Sequence, residues 1–347
     1  MGHLPIVSES SLTLMIKKGA VLVMVPRADC RPSQKWADIL ADALCIRKGD
    51  PVFPWVVKSK QTGFSYQFKA SDSAYLVDEP GYHIGIPVEP VYQQRQTHLT
   101  EGTALDFFPN RPGDGILWNA IGKKSLRRGR AITHQTPHED RLMTEMLGAL
   151  TDCRRPSAGH DLQPCATSFV SKSGVKVSAN GKIASLEFHS DKWTEDGHFR
   201  WEKALEASLV SVLGTKEQEG FMEALGMPKA KVLWFANYLT YGVQGGSIDL
   251  LLLVRDGAVN KALVIELKKG GLAPKLFRKA VAQVRAYSLY VEKACRSFGE
   301  KIITVPVVVS GLRNRPQQPL PDDGVLHILY QVEKGRIVYL EAQSSTL

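Results

Sequence analysis

Cysteine is sparse in this chain and unpatterned. The five residues, Cys30, Cys45, Cys153, Cys165 and Cys295, are odd in number and contain no Cys-x-x-Cys pair. A disulfide framework, a zinc ribbon and an iron–sulfur cluster are therefore not expected; reduced thiols in a cytoplasmic protein are. No apolar run approaches the roughly 18 residues of a membrane span. The first residues, Met1-Gly2-His3-Leu4-Pro5, lack a charged stretch followed by an apolar one, so no signal peptide is expected. Ile6 stands where a myristoylation signal needs Ser or Thr. No internal repeat is visible. A phosphate-binding loop is also excluded around Gly122-Lys123-Lys124-Ser125, because Leu117 occupies the first glycine position and Lys124 displaces the Ser/Thr.

What is present is an ordinary globular composition with surplus positive charge. The 347 residues are 44% hydrophobic and 23% charged, enough for two domains with their own cores. The net charge of +9 favours polyanionic partners, nucleic acid ahead of an anionic membrane surface.

Patterning divides the chain. Residues 12–25 read as a strand pair around a Lys17-Lys18-Gly19 turn, Gln34 to Arg47 as a helix, and 52–88 as short strands. Thr136-Pro137-His138-Glu139 reads as a capped helix start, with the helix running to about Leu150. The expected division is an N-terminal domain over 1–150, a linker over 151–196 where periodicity fades, and a C-terminal domain over 197–347. The first is expected to be a small α+β or barrel-like module. In the second, a helix at Phe199 to Leu213, a strand near Val232 to Leu239, a hairpin, a helix at Lys275 to Ser297 and late strands predict a mixed α/β sheet flanked by helices.

The hairpin carries the chemistry. Asp249 precedes an apolar run to Val254, and Glu266 and Lys268 follow one beginning at Lys261. Residues two apart in a strand share a face. An Asp256-Gly257 turn makes opposed residue numbers add to 513, and a six-residue loop makes them add to 515. Both totals are odd, so Asp249 falls on the face of Glu266 and Lys268 either way, unless a one-residue slip intervenes. Charges on an otherwise apolar strand are costly to desolvate without partners. A divalent cation and a phosphate would be such partners.

The ordered set of helix, strand, hairpin with Asp249 and Glu266-Leu267-Lys268, helix with Gln283 and Tyr287, then strand resembles the PD-(D/E)XK nuclease superfamily, over roughly residues 199–311. Its Gln-x-x-x-Tyr is similar to that of RecB-like nucleases, and the order Gly-x-x-Asp, Glu-Leu-Lys, Gln-x-x-x-Tyr resembles the NucS (EndoMS)-like group. The first half of the chain and its tail, which shows no sliding-clamp peptide, depart from that group. The resemblance implies a restriction-endonuclease-like C-terminal fold and phosphodiester hydrolysis on DNA. It implies Mg²⁺, with Mn²⁺ as substitute, held by Asp249, Glu266 and the Leu267 carbonyl. Lys268 would orient water or neutralise phosphate, and Gln283 and Tyr287 would hold the DNA backbone or support the site. An acidic residue of the first helix is implied as well, Glu202 first and Glu206 beside it. A homodimer would supply two sites for a double-strand cut.

Plainer readings stand beside these. Glu266 and Lys268 alone read equally as a solvated pair on a surface hairpin. The run Lys123, Lys124, Arg127, Arg128 and Arg130 reads as a phosphate-contacting patch or as a solvated loop. Lys48-Gly49-Asp50 followed by Val52-Phe53 resembles PUA/EVE-like modules that hold a flipped base; core packing of Trp55, Phe64, Tyr66, Tyr75 and Tyr82 is the alternative. His134 and His138, four apart, and the group Glu187, His189 and Asp191 read better as cap and surface residues than as ligands. The expected activity is a metal-dependent DNA endonuclease of restriction or defence type. A repair or recombination nuclease and a non-catalytic nucleic-acid-binding protein are the alternatives.

Overall fold

Ser8 decides the start of the chain. Its hydroxyl accepts the Ser11 N–H at 3.1 Å, Glu9 sits in the first turn, Lys17 and Lys18 in the last, and Gly19 closes the helix at φ 63°. These caps make Glu9–Lys18 a helix followed by the strand Ala20–Met24, not the strand pair expected over 12–25. The apolar residues misled because Leu12, Leu14 and Ile16 alternate as in a strand, whereas Leu12 and Met15, the two that are buried, are three apart on one helix face.

The computed structural model describes residues 2–24, 31–57, 63–79, 81–94, 99–100, 132–135, 137–149, 153–154, 159, 174–177, 182–186, 192–241, 246–297, 301–312 and 324–341. They show a mixed α/β architecture that divides into two compact units. One unit comprises 1–31, 42–184 and 242–245; the other comprises 32–41, 185–241 and 246–347. The basic run from Lys123 to Arg130 and the group Glu187, His189 and Asp191 lie outside the described residues, as does Thr136.

The first unit is an α+β module on a branched sheet. Its strand Gly2–Val7 pairs antiparallel with Ile132–Gln135 and parallel with Pro51–Val52 and Trp55–Val56. The long strand Tyr82–Gln94 is shared by Ala20–Met24, Tyr66–Ala70 and Tyr75–Glu79. Trp55 and Phe64 are buried and stack 6.1 Å apart, so these two belong to the core, whereas Tyr66, Tyr75 and Tyr82 are half-buried. His134 is buried on a strand and is not the cap or surface residue expected; its Nδ1 is 2.8 Å from His3 Nδ1.

The second unit is a six-stranded sheet in the order Lys231–Tyr241, Gly246–Asp256, Val259–Leu267, Ile303–Gly311, Leu326–Glu333, Arg336–Glu341. The third, fourth and fifth strands are parallel and the outer pairs antiparallel. Pro274–Ser297 is the crossover helix between the third and fourth strands and packs against both. Such a crossover is what a parallel pair requires. The core runs through Leu250, Leu252, Val254, Leu263, Ile265, Val307 and Val309, all buried. Near-continuous apolar strands are the signature of a sheet covered on both faces.

In the central hairpin Leu250 pairs with Ile265 and Asp256 with Val259, a total of 515 throughout. The turn is neither of those expected. It is Gly257-Ala258, with Gly257 at φ 60°, which suits a two-residue turn with glycine first. Continuing the ladder one step brings Asp249 level with Glu266.

Candidate active site

Four charged side chains meet at the end of the hairpin away from its turn. Asp249 Oδ2 accepts the Leu267 N–H at 2.9 Å, which ties the end of one strand to the end of the next. Glu266 is 1% exposed; its Oε1 accepts from Lys268 Nζ at 2.7 Å, while Oε2 is buried with no hydrogen-bond partner. Lys268 Nζ also donates to the Leu267 carbonyl at 2.9 Å and lies 3.8 Å from Glu202 Oε1. Glu202 itself is exposed, on the first turn of the helix Glu202–Val212.

Lys268 is fixed through its backbone. Its N–H donates to Val309 O at 2.8 Å, and beyond it Gly311 N donates to Gly270 O at 3.2 Å. A Cβ on Gly311 would sit 2.9 Å from the His198 ring and 3.0 Å from Gly270 Cα, so this close approach requires glycine.

The electrostatics follow from burial. Burial, then the Asp249 charge, push the Glu266 carboxyl up to about 7, against the pull of Lys268. Burial also raises Asp249, opposed by the Leu267 N–H and by Lys268 and Lys203. Lys268 is drawn down by burial, but Glu266, Glu202 and Asp249 outweigh that and raise it. A carboxylate poised near neutrality beside a cation is a common active-site arrangement, and structural ion pairs produce it too.

A cation site can be tested on the donors present. Among the described residues no group of three His, Cys, Asp or Glu side chains could hold a metal ion. The available set is two carboxylates, Asp249 and Glu266, and the Leu267 carbonyl. All are oxygens, the unpartnered Glu266 Oε2 is one of them, and Mg²⁺ is commonly held by one or two carboxylates with water and phosphate completing the shell. The donors therefore fit a hard divalent cation. The Lys268 ammonium already bonds two of these groups, Glu266 Oε1 and Leu267 O. It occupies the position of a positive charge.

Glu206 sits elsewhere. It is 1% exposed, accepts Asn237 Nδ2 at 2.6 Å on Oε1 and Lys203 Nζ at 2.5 Å on Oε2, and so braces the helix to the strand Lys231–Tyr241. Gln283 and Tyr287 form a pair of their own on the long helix, Gln283 Nε2 donating to Tyr287 Oη at 2.5 Å. Sequence reasoning missed Lys203 and Asn237; the only signal was that Lys203 adjoins Glu202. Among the described residues no helix is long and apolar enough to cross a membrane.

No family model and no curated protein matches the chain. Among solved structures, similarity is found to human THYN1 in complex with 5-methylcytosine-containing DNA, at 13% identity over 43% of this chain and 98% of that one, with a TM-score of 0.27. A protein from Pseudomonas syringae matches at 11% identity over 42% of this chain and 99% of its own, TM-score 0.27. An XisH family protein from Nostoc punctiforme matches at 18% identity over 36% of this chain and 97% of its own, TM-score 0.22. The functional reading rests on the geometry above.

Proposed function

We propose that the C-terminal unit is a divalent-cation-dependent phosphodiesterase of PD-(D/E)XK type that acts on DNA, with a restriction-endonuclease-like sheet as its scaffold. The observation that carries this is the meeting of Asp249, Glu266 and Lys268, with Glu266 Oε2 buried and unpartnered. Asp249, Glu266 and the Leu267 carbonyl would hold Mg²⁺ or Mn²⁺, which when bound supplies charge stabilisation and an acidified water. The chain's own residues do the rest. Lys268 offers a positive charge to the phosphate oxygens or orients the attacking water. Glu266 changes charge near neutral pH, so it can release the proton that a cation displaces. Asp249 is held in place by the Leu267 N–H and needs no reorganisation. Glu202, exposed beside Lys268, completes the acidic rim. Gln283 and Tyr287 support the DNA backbone, and the run Lys123, Lys124, Arg127, Arg128 and Arg130 supplies phosphate contacts. A restriction or defence role and a NucS-like repair role share this chemistry.

A second reading has its own observation. Lys268 fills the cation position, and among the described residues no group of three His, Cys, Asp or Glu side chains is placed to hold a metal ion; both suit a nucleic-acid-binding unit that does not cut. Cleavage of duplex, single-stranded and modified DNA with Mg²⁺, using wild type, Asp249→Ala and Glu266→Ala, separates the two. Cleavage by wild type alone supports the phosphodiesterase. Binding without cleavage by any of the three supports the second reading, and equal cleavage by all three removes this site from the reaction.

A further inference from the structure

Tyr238 has φ 49° in the interior of the strand Lys231–Tyr241. A left-handed backbone is disfavoured for a bulky residue and is found chiefly where surrounding structure holds it for a purpose. Its place in the register is informative. Asn237 pairs with Leu250 and Leu239 with Ile248, so Tyr238 stands at the level of Asp249.

The left-handed turn has a visible effect on side-chain direction. Successive strand residues ordinarily point to opposite faces. Here Asn237 and Tyr238 both reach the helix Glu202–Val212. Asn237 Nδ2 bonds Glu206 Oε1 at 2.6 Å, and the Tyr238 ring lies under Lys203 Nζ, 4.6 Å from the ring centroid. Lys203 is itself fixed, 2.5 Å from Glu206 Oε2 and 3.8 Å from Asp38 Oδ1, and its charge is felt by Asp249. A half-buried ring, level with Asp249 in the ladder, is thus held by a cation whose charge reaches that carboxylate. Such a cation–aromatic pair keeps the ring oriented. Every nucleobase offers a π face, so an aromatic next to a phosphodiester site is suited to stacking a base.

We propose that Tyr238, held by Lys203, is a stacking platform for a nucleobase adjoining the phosphodiester at Asp249, so that the site takes an unpaired or unstacked nucleotide. This rests on the reading of the site as a nucleic-acid site. Tyr238 is a positioning residue in this account: it places the phosphate, and does no chemistry on it.

The test uses the full chain and a single-stranded DNA oligonucleotide, bound in EDTA so that cleavage cannot occur, with thermal unfolding measured in parallel. Tyr238→Gly relieves the left-handed strain, so it is expected to keep or raise the melting temperature while weakening binding about tenfold or more. Tyr238→Trp and Tyr238→Phe keep the ring and are expected to bind within about twofold of wild type. An oligonucleotide with one abasic position is expected to lose affinity for wild type and to lose no more for Tyr238→Gly. Unchanged binding by Tyr238→Gly, or an additive loss on the abasic strand, overturns the proposal. So does a failure of Phe and Trp to restore binding. The outcomes separate from those of the broader reading: wild type that binds through Tyr238 but never cuts sinks the phosphodiesterase and leaves the platform standing. Wild type that cuts, with Tyr238→Gly unaltered in KM, does the reverse.

Discussion

Both units bury ionisable groups, and they do so to different ends. In the first, His3 is wholly enclosed, with Nδ1 on His134 at 2.8 Å and Nε2 on Asp50 Oδ2 at 3.0 Å, while Asp50 also accepts the Arg47 N–H at 2.7 Å. Asp140 is pushed by burial up to about 8, well above the usual carboxylate range. In the second, Glu266 is as deeply buried but stands beside a half-exposed Lys268 and an exposed Glu202, and keeps one oxygen unpartnered. Burial alone therefore says little about activity. Access, through half-exposed Lys268 and exposed Glu202, marks the second cluster as the one able to meet a ligand.

The sharpest way to break this contrast is to remove a carboxylate from the hairpin. Asp249→Ala or Glu266→Ala is expected to lower the cleavage rate by about a hundredfold or more, with binding of DNA in EDTA retained. Next comes His3→Ala, which strips Asp50 and His134 of a buried partner. It is expected to destabilise the first unit by about 2–4 kcal/mol in chemical denaturation while cleavage per folded molecule is unchanged.

The pH dependence of stability refines the comparison. Glu266 has a folded pKa near 7, above its ordinary value of 4.5, so the fold favours the protonated form. Its contribution is fully present at low pH and is lost as pH rises towards 7, at a cost on the order of a few kcal/mol. Asp140 acts with the same sign, up to about 8. Denaturation curves from pH 5 to 8 should therefore show wild type weakening, Glu266→Gln weakening less, and Mg²⁺ reducing the Glu266 part alone. A loss that Glu266→Gln does not diminish would contradict the assignment. The smallest expected effect is from Lys268→Met. Without the ammonium competing for Glu266 Oε1 and Leu267 O, Mg²⁺ should bind a few-fold more tightly by calorimetry, although cleavage slows.

Sequence and structure diverge at identifiable residues. The parity of the hairpin was legible because every plausible turn gave the same face; the turn itself was not, since Gly257-Ala258 and Asp256-Gly257 look alike until the ladder is known. The long helix was legible in its apolar spacing, and the parallel crossover it makes follows from its length. The first helix was lost because Leu12, Leu14 and Ile16 alternate as a strand would, while Leu12 and Met15 have a helical spacing, and the Ser8 cap decides between them. Glu202 and Glu206 are four apart on one helix, and only the partners tell them apart: Asn237 and Lys203 for one, Lys268 for the other. The left-handed backbone at Tyr238 has no sequence signal, because glycine or asparagine is the residue that would announce it.

The clamp between Gly311 and Gly270 has a kinetic consequence. With the backbone on both sides of Lys268 bound to the neighbouring strand, only its four-carbon side chain is free to travel. Exchange of the ammonium for an arriving cation is then a side-chain rotamer event and not the opening of a loop. A rapid-mixing experiment should see no gating phase slower than the loss of water from the cation itself.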